Sequence, residues 1–171
     1  KVSPDTFIDE VLSSSIKVSG DTFDHDIVKY IREKYKLLIG EKTAENIKIN
    51  FANVYKADKK LKFEVKGRDL ITGLPSTIEV NQSEIKDALS KSAAKITQEV
   101  INVLEQTPPE LSADIVDKGI LLTGGGSQLK GLSALLKEKL NVPILLATSP
   151  ITSVADGTGV LLEKIRDLNE T

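Results

Sequence analysis

The chain has 171 residues, 40% of them hydrophobic and 28% charged, with a formal net charge of -2. That length makes one compact domain or two small lobes that fold without a metal or disulfide staple. With no cysteine, a single histidine (His25) and nearly balanced charge, it excludes disulfides, thiolate chemistry, a His-rich metal site and the basic signature of a nucleic-acid partner.

The chain opens on "KVSPDTF" (Lys1–Phe7), echoed by "KVSGDTF" (Lys17–Phe23), a single echo that makes no repeat architecture. There is no methionine anywhere, and the abrupt start reads as a piece of a longer protein. "VLSSSIKV" (Val11–Val18) is predicted as a strand. Phe23, Ile27, Ile31, Tyr35 and Leu38 then fall on one face of a helix, with Asp21 or Thr22 as its cap and Gly40 past its end. A second helix carries Ala44, Ile47, Phe51 and Val54 on its apolar side.

Strict alternation in "KLKFEVKG" sets Leu61, Phe63 and Val65 against Lys60, Lys62, Glu64 and Lys66, a strand with one wet face. A loop with Gly73 and Pro75 leads to a return strand at Thr77–Val80, giving an antiparallel hairpin. A long helix follows from about Ser83, burying Ile85, Leu89, Ile96, Val100 and Val103 and ending at Pro108–Pro109. At about 1.5 Å per residue it spans more than roughly 30 Å, enough to cross between lobes. The last third reads as βαβα: strand Gly119–Leu122, a glycine turn, helix Gln128–Leu140, strand Ile144–Ala147 and a helix from Ser153 to Leu168. This spacing implies a right-handed parallel crossover. A small α+β lobe at residues 41–82 is thus inserted into an α/β lobe made of residues 1–40 and 83–171.

Three stretches carry candidate chemistry. In "GILLTGGGSQLKGL" three glycines, Gly124, Gly125 and Gly126, separate a strand from a helix that Ser127 can cap. Bare backbone and free amides there suit an anion or a nucleotide, and a ligand-free tight turn fits equally. The glycines match neither the dinucleotide fingerprint, whose ribose-binding acid is missing, nor the phosphate loop ending in Gly-Lys-Ser/Thr. In "GEKTAENIK", Glu45 and Lys48 share a helix face. They read either as a solvated ion pair or as a ribose acceptor beside a cation lying over a base. In "SGDTFDHDI", Asp21, Asp24 and Asp26 crowd a helix start, either as caps or as a Mg2+ site.

Taken in order, "GDTFDHDIVKYIREKYKLLIGEKTAENIK", "VKGRDLITGLPSTIEV", "LEQTPPELSADIVDKGILLTGGGSQLKGL" and "PITSVADGTGVLLE" resemble the bacterial cell-shape actins, the MreB family. The resemblance runs from about Val11 to Lys164 and is to the family's second half. It implies an α/β, actin-like (ribonuclease H-like) inner subdomain with a smaller α+β outer subdomain inserted at residues 41–82. It implies ATP, with Mg2+ in the intact protein, between two halves. Gly124, Gly125, Gly126 and Ser127 would line the adenosine side, and Glu45 and Lys48 would face them. It further implies self-association into filaments, a cytoplasmic location, and contact with the membrane or membrane-bound shape proteins through other parts of the parent.

This chain departs from the family in ways that matter. "KVSPDTFIDE" stands where a phosphate-binding hairpin should precede "VLSSSIKV", and Asp156 stands where a basic or neutral residue is expected. The acid that orients the attacking water belongs to the other half. The chain alone is therefore expected to be inactive, although the intact parent is expected to be an ATPase. Two other readings compete, a sugar kinase-like phosphotransferase of the same superfamily and a stand-alone βαβ dinucleotide module.

Overall fold

The computed structural model describes residues 13–169, with side chains as far as residue 162. The opening echo and residues 11–12 lie outside the described residues. Residues 13–18 form no strand, so the expectation of one across Val11–Val18 is not met where it can be examined. Alternating apolar residues make a strand only when an edge is there to pair with, and among the described residues none pairs with this segment.

Helix α1 (Gly20–Tyr35) starts one residue before the expected cap. Ser19 takes the N-cap position, and its N–H donates to Thr22 Oγ1 at 3.0 Å. The helix stops at Lys36, a non-glycine residue with φ 53°. The chain then enters a two-residue strand, β1 (Leu37–Leu38), before α2 (Glu41–Phe51). Gly40 therefore caps α2 rather than closing α1. Strands β2 (Lys62–Asp69) and β3 (Pro75–Asn81) form the expected hairpin, Phe63 opposite Val80 and Val65 opposite Ile78. β1 adds to its edge, antiparallel to β2. Phe51 stacks on Phe63, ring centroids 4.0 Å apart, and fastens the end of α2 to the sheet.

Helix α3 (Gln82–Gln106) buries Ile85, Leu89 and Ala93 almost completely. Withdrawing Ile85 and Leu89 from water contributes about 1.5–3 kcal/mol each, and the Ala93 methyl under about 1 kcal/mol. The Pro108–Pro109 pair ends α3 and also begins a helix that periodicity did not signal, α4 (Pro109–Lys118). Proline costs nothing at a first helical position, where its missing N–H would have had no partner. Beyond it, β4 (Ile120–Leu122) and β5 (Ile144–Leu146) pair in parallel. Helix α5 (Leu132–Leu140) packs Leu132 and Leu136 into the core, and α6 (Ser153–Asn169) closes the chain. Leu121, Leu145 and Leu146 on the two strands, and Val154, Val160, Leu161 and Leu162 on α6, remain exposed.

One carboxylate fastens α1 to α3. Glu84 Oε2 accepts from Asn81 N–H at 2.9 Å while Asn81 Oδ1 accepts from Glu84 N–H at 3.1 Å, a capping box. Glu84 Oε1 accepts from the Tyr35 hydroxyl at 2.7 Å and pairs with the Lys34 ammonium. Burial pushes the Glu84 carboxyl up, but the Asn81 amide, Lys34 and Tyr35 together outweigh it and hold its pKa below the ordinary value. Burial and the same carboxylate push the Tyr35 phenol up to about 12.

A folded-state pKa below the unfolded one means the stabilisation is complete above the unfolded value and is lost as pH falls through the folded one. Glu84→Gln should cost about 1–3 kcal/mol at neutral pH. It should also flatten the acid limb of the stability curve, as read by urea unfolding from about pH 7 to pH 3.

Candidate functional site

The three glycines follow β4, but they do not start the helix. Gly124 takes φ 80° and ψ 161° and donates its N–H to the Pro150 carbonyl at 2.7 Å, which ties the turn to the segment after β5. Gly125–Gln128 then form a single 3-10 turn. Helix α5 begins only after Gly131, which has φ 86°. The expected helix start at Gln128 is thus four residues early. Ser127 caps no α-helix; its hydroxyl donates to the Gly124 carbonyl at 2.7 Å and closes the turn on itself.

The glycines differ in what they need. A Cβ on Gly131 would lie 2.2 Å from Asn53 Oδ1 and 2.8 Å from Tyr55 N, so packing inside the chain and a positive φ both demand glycine there. A Cβ on Gly125 or Gly126 would meet no heavy atom within 4 Å, and neither residue has a positive φ. Nothing in the described chain requires glycine at those two positions. They leave bare backbone facing open space.

On α2, Glu45 and Lys48 do not form the solvated pair that their spacing allows. The Lys48 side chain is 17% exposed, and its ammonium binds Asp24 Oδ2 at 2.6 Å and the Gly20 carbonyl at 3.1 Å. Lys48 therefore bridges α2 to the start of α1. The other Asp24 oxygen, Oδ1, is buried without a hydrogen-bond partner. Glu45 is exposed and lines a cleft of about 430 Å³ with Asp21, Asp24, His25, Glu41 and Lys42. The acidic cluster does not converge. Asp24 goes to Lys48 and Asp26 accepts from Ser92, and no group of three metal-ligating side chains exists among the described residues.

Val54, expected on the apolar side of α2, lies beyond its end, and with Asn50 and Lys130 it joins α2 to the glycine turn. Val54 N–H donates to the Lys130 carbonyl at 3.0 Å, and Lys130 Nζ donates to the Asn50 carbonyl at 3.0 Å. The end of α2 thus lies against the residues that follow the 3-10 turn. The one visible signal was Gly131, a fourth glycine five residues beyond the triplet.

A family model described as MreB/Mbl protein matches residues 6–170. The chain belongs to the MreB/Mbl family. It is 54% identical over 157 residues to the cell shape-determining protein Mbl of Bacillus cereus, covering 92% of this chain and 47% of that one. It is 44% identical over 155 residues to the cell shape-determining protein MreB of Escherichia coli K12, covering 91% of this chain and 45% of that one. The crystal structure of Spiroplasma citri MreB 5 bound to AMPPNP superposes with a TM-score of 0.88 at 37% identity, over 95% of this chain and 49% of that one. A MamK double helical filament shares the fold at 23% identity and a TM-score of 0.65, over 80% of this chain and 42% of that one. The fold is the actin-like α/β fold expected from the sequence, and the chain spans about half the length of the curated relatives it matches.

The contrast among the glycines has a measurable outcome. Gly131→Ala combines a forced left-handed alanine with a backbone clash and should cost about 2–4 kcal/mol. Gly125→Ala should stay within about 0.5 kcal/mol of wild type. Guanidinium unfolding of the two variants side by side measures both.

Proposed function

We propose that this chain is half of an ATP-binding, filament-forming bacterial actin homologue that organises cell shape. In this reading it supplies the adenosine side of the nucleotide cleft and part of the polymerisation surface. The family, the cell shape-determining relatives and the neighbour bound to AMPPNP support the reading. The observation that carries it is the bare backbone at Gly125 and Gly126, with no side chain within 4 Å of where a Cβ would stand. Residues of this kind fit a nucleoside, which can rest directly on the backbone.

Gly124, Gly125, Gly126 and Ser127 would form that seat, and Glu45 would accept from a ribose hydroxyl. Lys48 would contribute its methylene stem to the base, because Asp24 already holds its ammonium. Mg2+ and most of the phosphate contacts would come from residues outside this chain, so the chain alone turns over no ATP. Residues 41–82 would be the small outer subdomain, and the flanks the inner one. A cytoplasmic location with contact to membrane-bound shape proteins belongs to the same reading; no described helix is long and apolar enough to cross a membrane. Nothing favours the sugar kinase: of the three clustered acids, Asp24 is engaged by Lys48 and Asp26 by Ser92.

The loop between β2 and β3 is the apolar contact we assign to filament growth. Asp69 Oδ1 accepts from Ile71 N–H at 2.8 Å and Thr72 N–H at 2.7 Å, which stiffens the loop. Those two amides also hold the Asp69 carboxyl below its usual pKa. Ile71 is 81% exposed and Leu74 65%, so these side chains do not pack back onto the hairpin. Head-to-tail growth needs such a knob at one end of each subunit.

Two outcomes test the proposal in a full-length protein carrying this chain. Gly125→Val should abolish AMPPNP binding by calorimetry with little change in unfolding midpoint, because a β-branched side chain would fill the nucleotide's seat. Retained affinity would sink the adenosine assignment. Ile71→Asp should raise the critical concentration for pelleting about tenfold or more, the effect of losing an interface contact worth about 1–3 kcal/mol. Nucleotide affinity should not move.

A further inference from the structure

The loop after α2 does more than connect two elements. Three contacts bind it and the end of α2 to the segment beyond the glycine turn. Val54 N–H donates to the Lys130 carbonyl, and Lys130 Nζ donates back to the Asn50 carbonyl, each at 3.0 Å. Asn53 Oδ1 occupies the space where Gly131 lacks a side chain, 2.2 Å from where a Cβ would stand. The same Oδ1 accepts from Tyr55 N–H at 3.0 Å and Lys56 N–H at 3.1 Å and closes a tight turn around Val54. Beneath these contacts, Val54, Leu132 and Leu136 are buried in one core.

We propose that Asn53 is a positioning residue. Its Oδ1, packed against Gly131, holds the turn from which Val54 N–H reaches the Lys130 carbonyl, so the end of α2 is latched to the start of α5 and the glycine turn is fixed relative to Glu45. The importance of that spacing for a nucleotide rests on the function proposed above; the latch itself does not. The argument is mechanical. The glycine turn is held at one end by Gly124 N–H on the Pro150 carbonyl and at the other by the backbone that runs into Gly131. Lys130 and Gly131 are the residues the latch grips. If it is released, the far end of the turn loses its reference to α2, although the apolar core beneath it remains.

The test uses Asn53→Ala, which removes the acceptor, and Asn53→Asp, which keeps one. Hydrogen exchange on the 171-residue chain reads the turn directly, through the amides of Ser127, Leu129 and Leu132, all donors inside it. Calorimetry with AMPPNP reads the consequence in a full-length protein carrying this chain. Asn53→Ala should speed exchange at those amides about tenfold or more and weaken AMPPNP about tenfold, with exchange in α1, β2 and β3 unchanged. Asn53→Asp should restore both.

Unchanged exchange at the turn overturns the latch. So does acceleration spread evenly over α1, β2 and β3, which would make Asn53 a general stabiliser. So does failure of Asn53→Asp to rescue. Faster turn exchange with full affinity overturns the positioning role. If the unmutated full-length protein binds no AMPPNP, the proposed function falls instead, and the exchange measurement alone decides whether Asn53 holds the turn.

Discussion

The two sheets of this chain share no strand, and the long helix α3 runs between them, touching β3 at its start and α5 further along. Its N-terminal half carries Ile85, Leu89 and Ala93 against α1, and α5 packs on the same helix further along. The hairpin fixes where α3 begins, because Asn81 is both the last residue of β3 and the cap of α3. A capped start of this kind lets a helix of 25 residues carry geometry from the hairpin to α5.

Charge refines what burial builds. Glu84 and Asp24 are both buried, and each is matched by a lysine from a neighbouring helix or helix end. Such pairs contribute little net stability compared with apolar contacts, yet a mispaired register would strand an uncompensated charge at high cost. They therefore act on alignment. Glu84 sets α1 against α3, and Lys48 sets α2 against α1. The second pairing also decides what α2 presents to the cleft: the lysine is turned inward, and Glu45 is left on the rim.

Much of this was legible in the sequence. Period-3.6 patterns located α1, α2 and α3, and strict alternation located β2 and its partner, because each of these elements buries one face. Elements too short to show a period were not legible: β1 has two residues and exists only because β2 offers an edge. Helix α4 was missed because Pro108–Pro109 reads as a stop, although the same residues can open a helix. The glycine triplet was legible as an unusual turn, but its internal division was not. Only three-dimensional packing separates Gly131, which Asn53 crowds, from Gly125 and Gly126, which nothing crowds. The partner of Lys48 was hidden for a similar reason: Asp24 lies on another helix, and helical spacing names only neighbours on the same one.

Parallel strands normally lie under cover on both faces. Here β4 and β5 turn Leu121, Leu145 and Leu146 to water, and α6 adds further valines and leucines. Attraction between such surfaces weakens on cooling, unlike attraction between charges. Isolated copies of this polypeptide should therefore become stickier as they are warmed and come apart again in the cold.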